Sequence, residues 1–242
     1  MILSTRGIVL HSMDYSETSI IVRVYTEQLG LQSYIVKGVR KKGARLKRNL
    51  FSPLSVLKLV ANHKEGEGLR VLREAACFHQ LNSIATNMPK MTVSIYMSEL
   101  LTRTITAQMQ DPNLYAYLEE SILRLEETTG SVAGFPLSFT IGLSHFMGFD
   151  PHNNFSDELT YFDLMEGDFC QHPPSHPHYF SSPLSNHFSE VLTALDAGIV
   201  FLSLANVVRT ELLSKMLEYF RIHIPGFGEL KSVKVLTDLL RE

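Results

Sequence analysis

Apolar and polar residues alternate in five short runs over the first eighty positions of the chain. In one run Ile20, Val22 and Val24 share a face, and each run is rich in Val, Ile or Tyr, as β-strands are. The turn-like sequences DYSE, EQLG and NHKEGEG separate several of the runs. Five strands without room for crossover helices predict a small antiparallel barrel or sandwich, for which the OB-fold is the natural candidate. We therefore interpret residues 1–80 as a five-stranded OB-fold.

The period changes to that of an α-helix after residue 88. Apolar residues recur from Val93 at spacings of three and four, and Asp111-Pro112 provides an N-cap followed by proline at the first helical position. A further amphipathic pattern around residues 208–219 ends near Pro225, a helix breaker. The predicted fold class is α+β, an N-terminal OB-fold barrel followed by an α-helical domain.

Two segments of that helical domain, which we place at residues 81–242, differ from the rest. Residues 135–149 are apolar almost all round, which predicts a buried helix in which His145 is a core histidine bonded to backbone. A segment at about 150–186 is rich in Pro, His, Asn, Ser and Asp, and we predict an irregular insert there.

Composition points to a soluble protein. The 242 residues are 45% hydrophobic and 19% charged, and the two cysteines, Cys77 and Cys170, lie far apart, as expected in a reducing compartment. The longest apolar stretch, at 198–208, is too short to cross a bilayer. We expect a cytoplasmic protein with no membrane partner.

Motifs typical of enzymes are missing from the sequence. It contains no phosphate-binding loop of the G-x-x-x-x-G-K-[ST] type, no nucleophile elbow and no H-E-x-x-H zinc motif. Cys170, His172, His176 and His178 carry zinc-ligand chemistry, but their spacing matches no standard zinc finger. We therefore expect no catalytic centre, no metal and no other cofactor.

Charge is distributed unevenly along the chain. Residues 28–64 contain nine basic and no acidic residues, whereas the rest contains 13 basic and 25 acidic residues, a net charge of −12. Seven of the nine fall in the sequence KGVRKKGARLKR at residues 37–48, which we call the basic segment. Such an asymmetry in a protein of net charge −3 indicates a polyanionic partner.

A basic loop beside a small barrel is typical of proteins that bind single-stranded nucleic acid through phosphates and base stacking. The predicted DNA-binding residues are the seven of the basic segment together with aromatic and basic residues of the flanking strands: Lys37, Arg40, Lys41, Lys42, Arg45, Lys47, Arg48, Tyr34, Arg23, Arg70 and Arg73.

Phosphate contacts alone do not distinguish DNA from RNA. One alternative is therefore an OB-fold RNA-binding protein acting in translation or ribosome assembly. Another is an interaction module whose basic segment docks an acidic protein.

Three stretches resemble the bacterial RecO family of DNA repair and recombination proteins. They are TRGIVLHSMDYSETSIIVRVYTEQLG, VKGVRKKGARLKRNLFSPLSVLKL and YFRIHIPGFGELKSVKVLTDLL, in family order. The resemblance implies a non-enzymatic recombination mediator that binds single- and double-stranded DNA and anneals complementary strands. It further implies binding to the C-terminal tail of the single-strand-binding protein, cooperation with RecR, loading of RecA, and association with the nucleoid in the cytoplasm.

The resemblance also suggests where partners could bind and where this chain departs from the family. Basic residues of the helical domain that could meet a terminal carboxylate are Arg103, Arg209, Lys215 and Arg221. Many family members carry a four-cysteine zinc module in the helical domain, whereas the corresponding stretch here has only Cys170. We therefore expect the zinc site to be lost.

Overall fold

The computed structural model describes residues 2–39, 41, 44–62, 68–106 and 110–240. Five strands come first: β1 (Ile2–Asp14), β2 (Ile20–Thr26), β3 (Gly30–Val36), β4 (Val56–Asn62) and β5 (Arg70–Cys77), with a 3₁₀ helix at Arg48–Phe51. Helices α1 (Asn82–Thr86), α2 (Met88–Thr104), α3 (Pro112–Glu127) and α4 (Phe135–Met147) follow. After them come β6 (Tyr161–Asp163), β7 (Asp168–Cys170), β8 (Tyr179–Phe180), α5 (Leu184–Asp196), α6 (Asn206–His223) and α7 (Ser232–Leu239).

The five N-terminal strands close into a barrel in the order β1-β2-β3-β5-β4. All neighbours are antiparallel except β3 and β5, which are parallel at Tyr34–Arg70 and Ile35–Val71. This order matches the five-stranded Greek-key barrel of the OB-fold. The predicted fold class, an OB-fold followed by helices, is confirmed.

Strand β1 closes the barrel because it pairs with two partners. Its first half pairs with β4 and its second half with β2, and the register with β2 shifts between Val9 and His11. Gly7 lies where both pairings overlap. A Cβ atom there would come within 2.6 Å of Val24 Cγ1 and 3.0 Å of Leu59 Cδ1. The strand can therefore pass this close to its neighbours only because residue 7 has no side chain.

Inward-facing residues of the strands form the barrel core. Val22, Val24, Leu57 and Leu59 are buried, as the alternation in the sequence requires, and Phe51 of the 3₁₀ helix packs with them. Burying a side chain of this kind stabilises a fold by about 1.5–3 kcal/mol.

Residues 1–127 form one compact unit in which α1, α2 and α3 accompany the barrel. Asn87 caps α2 by accepting a hydrogen bond from Lys90 N (3.1 Å). Asp111 caps α3, since its Oδ1 accepts from the amides of Asn113 and Leu114. The predicted N-cap at Asp111 is therefore confirmed. We predicted a domain boundary near residue 80. The barrel ends at Cys77, but helices α1 to α3 belong to the same compact unit as the barrel, so this boundary stays a prediction.

Arg6 on β1 ties the barrel to helix α3. Its guanidinium donates to Glu27 (2.6 and 3.0 Å) and to both carboxylate oxygens of Glu119 (2.9 and 3.0 Å). It also lies over the rings of Phe78 and Tyr115, 5.2 and 5.4 Å from their centroids. The hydrogen bond from Arg6 lowers the pKa of the Glu27 carboxyl. Ion pairs, hydrogen bonds and cation–π contacts therefore converge on one residue.

Residues 128–242 form the second compact unit. Its central helix, α4, is buried along most of its length, as predicted, and ends at Gly148, whose φ of 81° favours glycine. A Cβ atom on Gly134, directly before α4, would lie 2.2 Å from the carbonyl oxygen of Leu202. Among the described helices, none combines the length and the apolar character that a membrane crossing requires.

The segment predicted to be irregular contains a small antiparallel sheet in the order β7-β6-β8. Phe162 at its centre contacts the rings of Phe169, Phe180 and Phe188, with centroids 4.8–5.3 Å apart. Strands of two or three residues are too short to show alternation, so the Pro- and His-rich loops between them dominated the sequence pattern.

The prediction that His145 is a core histidine is wrong. Its side chain is exposed in the last turn of α4, and its Nδ1 lies 3.0 Å from Oδ2 of Asp150. The apolar pattern of the helix therefore does not extend to the face that its last turn presents to solvent.

We expect Arg6→Ala to lower the free energy of unfolding by about 2 kcal/mol, because it leaves the largely buried Glu119 carboxylate without its guanidinium partner. Urea denaturation at pH 7 measures the change. The control is Arg124→Ala, which removes an exposed i,i+4 pair with Glu120 and should cost about 0.5 kcal/mol or less. Equal effects of the two substitutions would contradict the role given to Arg6.

The effect of Arg6→Ala should also shrink in acid. The folded-state pKa of Glu27 lies below its unfolded value of about 4.3, so its stabilisation is present above that pH and is lost as the pH falls through the folded pKa. The stability difference between wild type and Arg6→Ala should therefore decrease from pH 6 to pH 3. A difference that is constant over this range would exclude the linkage.

Candidate nucleic-acid interface

The basic segment connects β3 to the 3₁₀ helix, and apolar residues within it and directly after it hold the chain to the barrel. Val39 and Phe51 are buried, and Leu46 and Leu50 pack against the same core. Lys41 N donates to Gly38 O (3.1 Å), and Ala44 N donates to Lys41 O (3.0 Å). The described residues at both ends of the segment are therefore attached to the barrel.

The basic side chains of this segment face solvent. Lys37, Lys41, Arg45, Lys47 and Arg48 are all exposed. Arg40 and Lys42, which we also predicted to bind DNA, lie outside the described residues. A short stretch of surface thus carries at least five positive charges, an arrangement that attracts polyanions.

A cleft of about 450 Å³ runs beside the segment, between Arg45 and the outer face of β4 and β5. Lys58 of β4 lines the cleft together with Arg45, and Glu74 of β5 lies in the same wall. Lys58 was not among the predicted binding residues. The signal that could have found it is its outward position between the buried Leu57 and Leu59.

Two arginines of the basic segment form exposed ion pairs. Arg45 Nη2 lies 2.8 Å from Glu74 Oε1, and Arg48 Nη1 lies 2.8 Å from Asp14 Oδ1. The side chain of Arg45 is 78% exposed, so water screens its pair with Glu74. Pairs of this kind contribute at most about 1 kcal/mol, and a phosphate group can replace the carboxylate at little cost.

Tyr34 and Arg70, which we predicted to contact nucleic acid, lie inside the barrel instead. Tyr34 is 1% exposed, and burial raises its pKa to about 12, so its ring has no free face for a base. Arg70 is buried and donates to Gln32 Oε1. Successive side chains of a strand point alternately to the core and to solvent, and both of these positions fall on the core side.

The other two predicted strand residues are more accessible. Arg23 on β2 is half-buried, and Arg73 on β5 is exposed. Arg73 lies where the register between β4 and β5 shifts, with Glu74 paired to Val60 and Leu72 to Ala61. Neither residue lines the cleft beside the basic segment.

The predicted partner-binding residues have different environments. Arg209 is 6% exposed, and its guanidinium donates to Leu204 O (3.1 Å) and to Leu240 O. It is therefore a structural residue of α6, and its predicted role as a surface contact is wrong. Lys215 pairs with Glu218 at 3.0 Å, and the exposed Arg221 donates to Gly228 O (3.4 Å). Arg103 is exposed near the end of α2.

Comparison with known proteins identifies the family. A profile described as "Recombination protein O N terminal" matches residues 1–81, and one described as "Recombination protein O C terminal" matches residues 85–159. The chain is 32% identical over 240 residues to "DNA repair protein RecO" of Bacteroides fragilis, covering 99% of both chains. It is 30% identical over 236 residues to the protein of that name from Azobacteroides pseudotrichonymphae, covering 98% of both.

The chain belongs to the RecO family. It is thus a member of a family of DNA repair proteins. The N-terminal RecO profile covers the whole barrel, including the basic segment, while the C-terminal profile ends just before β6.

Three of the four residues of this RecO chain that carry zinc-ligand chemistry, Cys170, His176 and His178, each contact a different group of the protein. The Cys170 thiol donates to His172 O (3.2 Å), His178 Nδ1 lies 2.8 Å from Glu218, and His176 Nε2 lies 3.3 Å from Asp163. Burial, and then the charge of Asp163, raise the pKa of the Cys170 thiol, which disfavours the thiolate that binds zinc. In the described ranges no three His, Cys, Asp or Glu residues form a metal-binding group.

We therefore expect the purified protein to contain far less than one zinc per chain, because Cys170, His176 and His178 contact separate groups of the protein. Elemental analysis after dialysis without chelator measures this directly. One zinc per chain, lost on Cys170→Ser, would contradict the assignment.

Proposed function

We propose that this RecO family member is a recombination mediator that binds single- and double-stranded DNA on its basic segment and anneals complementary strands. The observation that carries the proposal is the exposed positive charge on a segment fixed to the barrel beside a cleft lined by Arg45 and Lys58. Guanidinium and ammonium groups bind phosphates, so such a surface holds a backbone without reading its bases.

Annealing follows from this kind of binding. A surface that contacts phosphates and leaves bases accessible reduces the repulsion between two strands while their bases pair. It requires no catalytic residue, in agreement with the enzyme motifs that the sequence lacks. The proposed activity is therefore that of a binding protein and not of an enzyme.

We further propose that the protein helps load RecA onto DNA coated with single-strand-binding protein, acting in the cytoplasm at the nucleoid. Its proposed partners are the C-terminal tail of the single-strand-binding protein and RecR. Family membership supports these partners. The exposed basic residues Arg103 and Arg221 are the remaining accessible candidates for contact with the tail carboxylate, with Lys215 held in its pair with Glu218.

Neutralising part of the basic segment should slow annealing. We expect the triple variant Lys41→Gln, Arg45→Gln, Lys47→Gln to slow annealing of complementary strands precoated with single-strand-binding protein by about 10- to 100-fold, because it removes up to three phosphate contacts. A fluorescence assay with labelled strands measures the rate.

The matched control for this experiment also removes one arginine and two lysines: Arg124→Gln, Lys231→Gln, Lys234→Gln. These residues are exposed and lie outside the barrel and the basic segment. The control should anneal like wild type. Equal rates for the two triple variants would contradict the proposal, and tighter binding of RNA than of DNA of the same sequence would favour the RNA-binding alternative.

Removing the acidic partner of Arg45 should have the opposite effect. We expect Glu74→Gln to tighten DNA binding by about two- to fivefold, since it frees Arg45 from an exposed ion pair and removes a negative charge from the cleft wall. Fluorescence anisotropy at about 0.1 M salt measures the affinity. The control is Glu120→Gln, which breaks the exposed pair with Arg124. The same gain in both variants would show that only net charge matters.

A further inference from the structure

A second and larger depression lies near the end of the basic segment, between the residues that follow it and helices α1 and α2. Its volume is about 600 Å³. One wall is the chain from Asn49 to Ser55, and the opposite wall includes Ile84 of α1 and Met91 and Ile95 of α2. We call it the α2 groove.

The α2 groove begins where the basic segment ends. Asn49 lines it, and the two preceding residues, Lys47 and Arg48, are exposed and positively charged. Arg48 directly precedes Asn49 in the chain, so the charged end of the basic segment adjoins the groove. A strand bound to the basic segment can therefore reach it.

The wall that joins the two features is fixed in place. Leu54 is fully buried, and its amide donates to Val9 O (2.8 Å) while Ser55 O accepts from Val9 N (3.0 Å). Leu54 takes a φ of 60°, a left-handed conformation that is uncommon for leucine. The groove is therefore formed before any ligand arrives, which lowers the entropy cost of binding.

The chemistry of the groove suits an uncharged, planar, polar-edged ligand. Its lining includes apolar side chains, among them Ile84, Met91 and Ile95, and three exposed amide side chains, Asn49, Gln80 and Asn82. Asn and Gln side chains match the donor and acceptor pattern of base edges, and apolar side chains pack against the faces of unstacked bases.

Electrostatics favours a base over an acidic peptide at this position. None of the described residues that line the groove is Lys, Arg, Asp or Glu. Inside the groove a carboxylate would meet no Lys or Arg among these described residues, and the imidazole of His79 already contacts Glu119 (3.2 Å). A base needs no cation there, and its own phosphate would lie outside on the basic segment. A nucleotide has a charged phosphate and an uncharged base. The surface has a charged part, the basic segment, and a part whose described lining is without Lys, Arg, Asp or Glu, the α2 groove.

We propose that the α2 groove accepts an unstacked base of the single strand whose phosphates lie on the basic segment. The inference rests on the proposed DNA binding and adds a site to it. It gives the protein a means of preferring single strands, because bases in a duplex are paired and cannot enter.

The test compares two single strands of equal length and charge, one of oligo-dA and one in which every base is replaced by an abasic residue. Wild type should bind oligo-dA about tenfold more tightly, since contacts to one base contribute about this much. The variant Ala85→Trp fills the groove from α1 and should bind both strands equally, with the affinity that wild type has for the abasic strand. Its affinity for duplex DNA should equal that of wild type.

Ala116→Trp is the matched control, because Ala116 is an exposed alanine on α3 in the same compact unit but outside the groove. It should discriminate between the strands like wild type. If Ala85→Trp does not fold, judged by circular dichroism, the triple variant Asn49→Ala, Gln80→Ala, Asn82→Ala replaces it and should lose most of the preference for oligo-dA.

The outcomes separate the two proposals. Equal binding of both strands by wild type, or an unchanged preference in the folded groove variants, overturns the base site and leaves DNA binding intact. If the groove instead binds a peptide of a partner protein, the folded groove variants should keep the preference of wild type for oligo-dA. Failure of wild type to bind either strand or duplex at low salt overturns the proposed function itself.

Discussion

The attachment of the basic segment to the barrel core is the interaction on which the proposed DNA surface depends. Seven positive charges in twelve residues repel one another, and an isolated peptide of this composition would stay extended and mobile. Val39, Leu46, Leu50 and Phe51 offset that repulsion by packing against the core. Burial of Phe51 alone contributes about 1.5–3 kcal/mol, more than an exposed ion pair. Charge is thereby held at a fixed surface.

Acidic residues complete this arrangement in the free protein. Glu74 and Asp14 hold Arg45 and Arg48 at 2.8 Å in pairs that are exposed and weak. Arg6 differs, because Glu119 is largely buried and aromatic rings flank the guanidinium. Solvent exposure thus decides what an arginine–carboxylate pair does. The largely buried pair of Arg6 and Glu119 fastens α3 to the barrel, whereas an exposed pair is weak enough for a phosphate to replace the carboxylate.

Local periodicity in the sequence predicted the strands of the barrel and the long helices, because a buried face imposes a period of two or of about 3.6. It did not predict which residues of a strand are accessible at the site. Tyr34 and Arg70 were grouped with the basic segment by proximity in sequence, although their parity places them inside the barrel. The cleft beside Arg45 and the α2 groove arise from packing between segments that are distant in sequence, and no local pattern reports that. The sequence did not predict the three short strands around Phe162, because a strand of two or three residues is too short to show alternation.

The salt dependence of binding tests the central claim, that the basic segment holds phosphates, most directly. The measurement is the affinity of wild type for a single strand of DNA between about 50 and 200 mM salt. Five to seven phosphate contacts predict a slope of log K against log salt concentration of about −3.5 to −5. A slope near zero, with binding retained, would show that phosphates are not the groups that the protein holds.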